Sequence, residues 1–442
     1  MAGWRSVRPG AIAVAIATAS VWLFAAAHAG QSPALPSSTP ESVGFSSDRL
    51  RRLDAYLQEL VTRGRVPGAS ALLSRHGKVV SFKVYGEADS RSGAPITRDS
   101  IFRIYSQTKP VTGVAMMLLF EEAKWHLDDP ITKFIPEFKQ LRALQTVKAD
   151  GSLQLEEVAR APTMRELLTH SAGFGYGLAE DNPVDKAYRQ SDFMAANDAT
   201  DAIERLAKLP LAGQPGMHWR YSAAVDIQGY IIERLSGQTL AEFMQQRIFG
   251  PLAMNDTAFY VPADKRQRLV SLRSYDAASN SLVDPTGVLV FDYSKPPRVA
   301  SGGAGLVSTA ADYARFAQML LNGGELDGVR ILSPATVKLL SGNLLDERVR
   351  AKPEEPFSAH SGVGFGADVA VVEDAAKAGT LSGVGTYSWN GAAGTWFWID
   401  PKNDVVFVGM IQVMNRWSEP HLVNLDKDTQ TLVYQALLHP EK

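Results

Sequence analysis

Apolar residues at Leu50, Leu53, Leu57, Leu60 and Val61 recur at helical spacing, with Ser46 or Ser47 available as a cap and Gly64 and Pro67 to end the helix. The pattern then changes period. Ala69 to Ser74 and Val79 to Tyr85 are β-rich runs around Arg75-His76-Gly77-Lys78, which predicts a hairpin with Gly77 at positive φ. From Ile101 the texture is helical: Val111 to Ala123, Met164 to Thr169, Thr200 to Lys208, Ala223 to Leu235 and Leu240 to Phe249. Thr309-Ala310-Ala311-Asp312 signals a cap for an apolar helix closed by Gly323-Gly324, and Ser333-Pro334 opens another. Strand character returns at Gly364 to Val372, Gly394 to Ile399 and Asp404 to Gln412, before a last helix from about Asp426 to Leu438. Strands from both ends around a helical block predict an α+β fold. Its antiparallel sheet of N- and C-terminal strands is flanked by helices, and a large, mainly helical lobe is inserted.

The first residues stand outside this pattern. Arg5 and Arg8 precede an apolar run from Ala11 to Ala27, and Ala27-His28-Ala29 is a small-x-small cleavage site, so residues 1–29 are expected to be a signal peptide. Residues 30–45, rich in Pro and Ser, are expected to form a flexible leader. The expected organisation is then an α/β sheet region from 46–100 and 302–442, and a helical lobe at 101–301. An exported, periplasmic or secreted protein follows, with no membrane span after cleavage.

Composition removes whole classes of chemistry. The 442 residues contain no cysteine, which excludes disulfides, thiolate metal sites, iron–sulfur clusters and a cysteine nucleophile. A formal charge of −2 gives no footprint for nucleic acid. The eight histidines form no His-Glu-x-x-His or comparable ligand set, so neither a metal nor another cofactor is expected.

The candidate chemistry lies in three segments. Ser106-Gln107-Thr108-Lys109 opens the apolar helix, and a spacing of three sets Lys109 beside the Ser106 hydroxyl where helix amides favour a developing alkoxide. One such Ser-x-x-Lys is expected by chance in a chain this long, so the spacing alone decides nothing. Tyr221, in Trp219-Arg220-Tyr221-Ser222-Ala223 before a helix, could take the serine proton as a tyrosinate or as a neutral phenol relaying it through the lysine; a packed core tyrosine is the alternative. Tyr387 to Thr395 reads as a strand whose glycines and alanines allow close approach, either for packing or to offer an amide to a carbonyl oxygen.

Together these segments resemble the serine hydrolases of the β-lactamase fold, in particular the family VIII carboxylesterases similar to class C β-lactamases. The resemblance spans about Pro40 to Leu438. It also rests on Gly86-Glu87-Ala88-Asp89, Leu127-Asp128-Asp129-Pro130, Leu167-Leu168-Thr169-His170-Ser171-Ala172-Gly173 and Pro251-Leu252-Ala253-Met254-Asn255-Asp256-Thr257. It implies a β-lactamase/transpeptidase-like fold with Ser106 as acylated nucleophile and Lys109 and Tyr221 as proton-transfer pair. It also implies the amides of Ser106 and Ala392 as oxyanion hole, and Tyr105, Trp389, Asn390 and Gly391 at the substrate. Two departures bear on substrate. Class C β-lactamases carry Tyr-x-Asn and Lys-Thr-Gly where this chain has Tyr221-Ser222-Ala223 and Trp389-Asn390-Gly391. Without the strand lysine a lactam carboxylate loses a charge-assisted contact of about 1.5–3 kcal/mol. Tyr105 is expected to narrow the cleft, favouring an ester with a modest acyl group.

His170 reads as a structural residue bonding a carbonyl at the end of a short helix, since no Gly-x-Ser-x-Gly elbow or carboxylate partner accompanies it. The leading expectation is an exported serine esterase acting on small-molecule esters. A β-lactamase, D-alanyl peptidase, short amide hydrolase or acyltransferase on the same site stays open, as does a non-catalytic cell-wall binding protein.

Overall fold

A computed structural model describes Met1, Gly3 and residues 32–287, 291–350 and 361–440. The expected signal peptide, 1–29, otherwise lies outside the described residues. Contacts group residues 31–442 into one unit and residues 1–30 into another.

The helix α1, Ser47–Thr62, starts where Ser46 accepts from the Arg49 amide, and it buries Leu50, Leu53, Leu57 and Leu60. Strands β1, Gly68–Arg75, and β2, Lys78–Asp89, form the hairpin, with His76 and Gly77 at φ 52° and 69°. A two-residue turn with both φ values positive matches the twist of the paired strands. β1 pairs antiparallel with Val405–Met410, and the sheet continues through Thr395–Asp400, Tyr387–Asn390, Ala370–Val372 and Val363–Phe365, eight strands in all with β3, Ala94–Pro95, on the far edge of β2. The two termini thus build one antiparallel sheet, as the pattern predicts. The run Gly364 to Val372 is two short strands rather than one, because the chain reverses at Gly366–Val369. There a side chain at Gly366 would meet the Leu340 carbonyl at 2.2 Å.

Both faces of the central strands are buried, and alternation sorts them. Leu72, Phe397, Ile399, Val406 and Val408 enter the larger core, whereas Leu73, Trp396, Trp398, Val405 and Phe407 enter the core beneath α1 and the C-terminal helix Leu425–Tyr434. The larger core also holds α2, Lys109–Glu121, of which every residue from Lys109 to Leu119 is buried. Further helices are α3, Met164–Leu168; α4, Pro183–Ser191; α5, Ala199–Leu206; α6, Ala224–Ser236; α7, Leu240–Met244; α8, Ala310–Leu321; and α9, Pro334–Leu340, with the short turns Glu347–Arg350 and Ala375–Ala378 after them. Among the described residues no helix is long and apolar enough to cross a membrane.

The expected helical lobe also contains strands. Arg142–Val147 and Leu153–Glu157 form a largely exposed hairpin, and Arg273–Asp276 pairs in parallel with Val413–Met414. Their polar faces carry no strong apolar period, so the pattern gives little warning of them. The leader is not loose between 32 and 45: Phe45 is buried, Ser37 bridges Val79, and the Ser32 hydroxyl donates to Asp312 at the start of α8. Pro and Ser content signals a lack of regular structure there, not a lack of contacts.

Asp312 also accepts from the Asp256 amide at 2.8 Å and the Thr257 hydroxyl at 2.9 Å. Burial nevertheless pushes its carboxyl up from 3.8 to about 6. Because the folded value lies above the unfolded one, the stabilisation is complete below about pH 3.8 and is lost as pH rises through 6. Denaturant titration of the wild type and Asp312→Asn should show the wild type's relative stability falling by about 2 to 2.5 kcal/mol between pH 4 and pH 7. A difference independent of pH would contradict this.

Candidate active site

The nucleophile turn is held from three sides. Strand Phe102–Arg103 pairs antiparallel with Val307–Ser308 and leads into Tyr105, whose φ of 43° lies in the left-handed region that side chains avoid. Surrounding bonds fix that strained backbone: the Ile104 amide donates to Leu306 O at 3.0 Å, Ile104 O accepts from Thr395 Oγ1 at 3.2 Å, and Tyr313 OH donates to Gln107 O at 2.9 Å. Ser106 is thereby presented, half-buried, from a short 3-10 turn at the head of α2.

Lys109 is fully buried one turn on. Its Nζ donates to Gly303 O at 2.8 Å, approaches Tyr176 OH at 3.3 Å and lies 3.5 Å from Ser106 Oγ. It also sits over the rings of Tyr221 and Tyr176, 4.6 Å and 5.0 Å from their centres. Aromatic faces and a carbonyl thus hold Lys109 Nζ beside the Ser106 hydroxyl.

Tyr221 is positioned by the segment that precedes it. Arg220 makes a buried ion pair with Asp185 of α4 at 2.9 Å, and its amide donates to His170 O at 2.8 Å. Asp185 also accepts from the amides of Tyr176, Gly177 and Ala179, each at 3.0 Å, so one carboxylate holds the loops of both tyrosines. Though burial opposes it, those bonds and Arg220 keep the Asp185 carboxyl below its usual range. His170 packs against Tyr221 with ring centres 4.9 Å apart and the planes tilted by 50°, and its Nδ1 accepts from the Ser222 amide at 3.3 Å. The imidazole therefore meets Ser222 instead of the helix-end carbonyl expected. Burial and the nearby Lys109 push its pKa well down, which leaves it neutral.

The third segment divides by face. Trp389 packs against Tyr221 and Phe365, with ring centres 5.6 Å and 5.4 Å away, and forms a wall of the site. Asn390 points the other way, donating to Asp426 at 3.1 Å, so it is a support and not a substrate contact. Gly391 lies so close to the nucleophile turn that a β-carbon would meet Ile104 O at 2.2 Å. Ala392 falls in the turn between two strands, not on a strand, and among the described residues its amide takes no part in the ladder on either side. Tyr105 does not line the cleft: it is buried, with its ring against Phe291 at 6.0 Å. The strained φ turns that side chain inward while the next residue faces out.

Sequence reasoning missed Tyr176 and its partner Asp226. Burial, then Asp226, pushes the Tyr176 phenol far up, so it stays neutral beside Lys109. Asp226 accepts from Ser301 Oγ at 2.5 Å and from the Gly303 amide at 3.1 Å, fixing the carbonyl that holds the lysine. The available signal was an aromatic residue among glycines, Gly173-Phe174-Gly175-Tyr176-Gly177.

The beta-lactamase family model matches residues 53–430. Esterase EstB of Burkholderia gladioli is 33% identical over 78% of this chain and 86% of its own. Protein Rv1367c of Mycobacterium tuberculosis is 38% identical over 81% and 88%. The solved structure of EstCE1, a hydrolase with promiscuous acyltransferase activity, superposes with a TM-score of 0.71 and 27% identity, covering 88% of this chain and 99% of that one.

Lys109→Ala and Tyr221→Phe should each lower turnover by about two to four decades, and the double variant should be little worse than the poorer single one. Tyr176→Phe keeps the ring face and removes one oxygen, so about tenfold is expected. Steady-state kinetics across pH check this: multiplicative losses with an unchanged profile would mean that the two residues share no proton path.

Proposed function

The chain belongs to the beta-lactamase family, as a serine hydrolase, and from that premise we propose that it is an exported esterase working through an acyl-enzyme on Ser106. The observation that carries this reading is Lys109 Nζ, buried among Gly303 O, Tyr176, Tyr221 and Ser106 Oγ. As Ser106 Oγ attacks the ester carbonyl, its proton passes to the Lys109–Tyr221 pair. Tyr176, held neutral, supports the lysine and does not serve as tyrosinate. The carbonyl oxygen gains negative charge and is met by the amides of Ser106 and Ala392. The pair returns the proton to the alcohol as the C–O bond breaks, and water then releases the acid by the same route. An alcohol in place of water would give acyl transfer, in keeping with the likeness to EstCE1.

Esters are favoured over lactams by the wall at Trp389. An indole packed on Tyr221 and Phe365 stands on the strand where class C β-lactamases place lysine, and it offers no charge to a lactam carboxylate. The charge pattern at residues 1–29 supports export. Paired kinetics on nitrophenyl acetate and a chromogenic cephalosporin test the reading. The ester should have a kcat/KM at least about a hundredfold higher, and Trp389→Lys should narrow the ratio. Preference of the wild type for the cephalosporin over every short ester would overturn it.

A further inference from the structure

The strand that leads into the nucleophile turn belongs to a sheet of only two strands. Phe102–Arg103 pairs with Val307–Ser308, and among the described residues no third strand covers its outer edge. In an antiparallel pair, alternate residues turn both N–H and C=O away from the partner. Arg103 is such a residue, whereas the next amide, that of Ile104, bonds inward to Leu306 O.

One side chain answers both outward groups of Arg103. Gln412 Nε2 donates to Arg103 O at 3.0 Å, and Gln412 Oε1 accepts from the Arg103 amide at 3.1 Å. Nε2 also donates to Ile411 O at 2.9 Å, and the residue is 1% exposed. A primary amide carries the same donor and acceptor as a peptide unit, so Gln412 closes the ladder as a strand of one residue would. It is itself anchored: its carbonyl accepts from the Arg273 amide at 3.0 Å, and it follows the strand Val405–Met410 by two residues. Met410 pairs with Thr395, whose hydroxyl donates to Ile104 O. Arg103 and Ile104 are therefore held by side chains from two paired strand ends of the large sheet.

The joint that follows them is Tyr105, at φ 43°. Beyond it the chain is fixed again, since Gln107 O accepts from Tyr313 OH and Thr108 Oγ1 accepts from the Leu306 amide at 3.1 Å. Only a few per cent of residues other than glycine take a positive φ, and they keep it where the surroundings over-determine it. With Arg103 released, Tyr105 would relax to negative φ and swing Ser106 away from Lys109.

We propose that Gln412 is a positioning residue for the nucleophile: by clamping the Arg103 backbone it holds the strain at Tyr105 and so sets Ser106 Oγ beside Lys109. The inference rests on Ser106 as the nucleophile of the esterase reading above. Gln412→Met keeps the length of the side chain and removes both bonds to Arg103. With Tyr105 in place it should lower kcat/KM for nitrophenyl acetate, and the rate at which a fluorophosphonate labels Ser106, by the same factor of at least about ten, with the pH–rate profile unmoved. In a Tyr105→Gly background, where positive φ carries no strain, the same substitution should lower both by less than about threefold.

A role in stability alone would give equal factors in the two backgrounds. Thr395→Val, which removes the bond to Ile104 O, should show the same dependence on residue 105, and it decides if near-UV circular dichroism shows Gln412→Met unfolded. Tyr105→Asn, which also accepts positive φ, replaces Tyr105→Gly if that background labels too slowly to measure. Equal factors in both backgrounds, a loss below about threefold with Tyr105 in place, or a shifted pH–rate profile would overturn the positioning role while leaving the esterase reading intact. A wild type that neither labels nor hydrolyses nitrophenyl acetate would overturn both.

Discussion

The burial of the Lys109 side-chain nitrogen is the constraint around which the rest of the site is arranged. Among the described residues no carboxylate makes an ion pair with it, so its Nζ depends on a backbone carbonyl, two phenol rings and the serine. Burying such a group is costly unless every direction is answered. The answers come from different elements: the 3-10 turn ahead of α2 supplies the serine, the segment before α8 supplies Gly303, and the loops before α4 and α6 supply Tyr176 and Tyr221. Small displacements of any of them would leave a buried polar nitrogen short of partners.

That requirement explains features that have no chemistry of their own. Asp185 gathers three amides and Arg220 so that two tyrosine loops move as one. His170, neutral and packed on Tyr221, fills the space beside that ring without adding charge. Gly391 lets a strand end touch the turn that carries Ser106. The sheet, with both faces buried, provides the rigid reference for these placements.

Much of this was legible in the sequence where a local signal existed. Ser46, Thr309 and Ser333 cap the helices that their spacing announces, and Gly77 marks the hairpin. Ser106, Lys109 and Tyr221 could be singled out by residue type and spacing, and the fold brings them together. Tyr176 and Asp226 could not, since their roles arise from burial against Lys109 and Gly303 across the chain. Tyr105 and Asn390 were misplaced for a related reason: the inward turn at Tyr105 depends on a positive φ, and the direction of Asn390 on the sheet's alternation and on Asp426. The exposed hairpin Arg142–Glu157 shows the complementary failure, a structure with little apolar period to reveal it.

The central claim is that Ser106 becomes acylated through Lys109. Rapid acid quench of the enzyme during turnover of nitrophenyl acetate, followed by peptide mass spectrometry, tests it most directly. One acetyl group on the peptide containing Ser106, absent from Ser106→Ala and strongly diminished in Lys109→Ala, is the predicted result. Undiminished turnover with the acetyl group on another residue, or persisting in Ser106→Ala, would contradict the account.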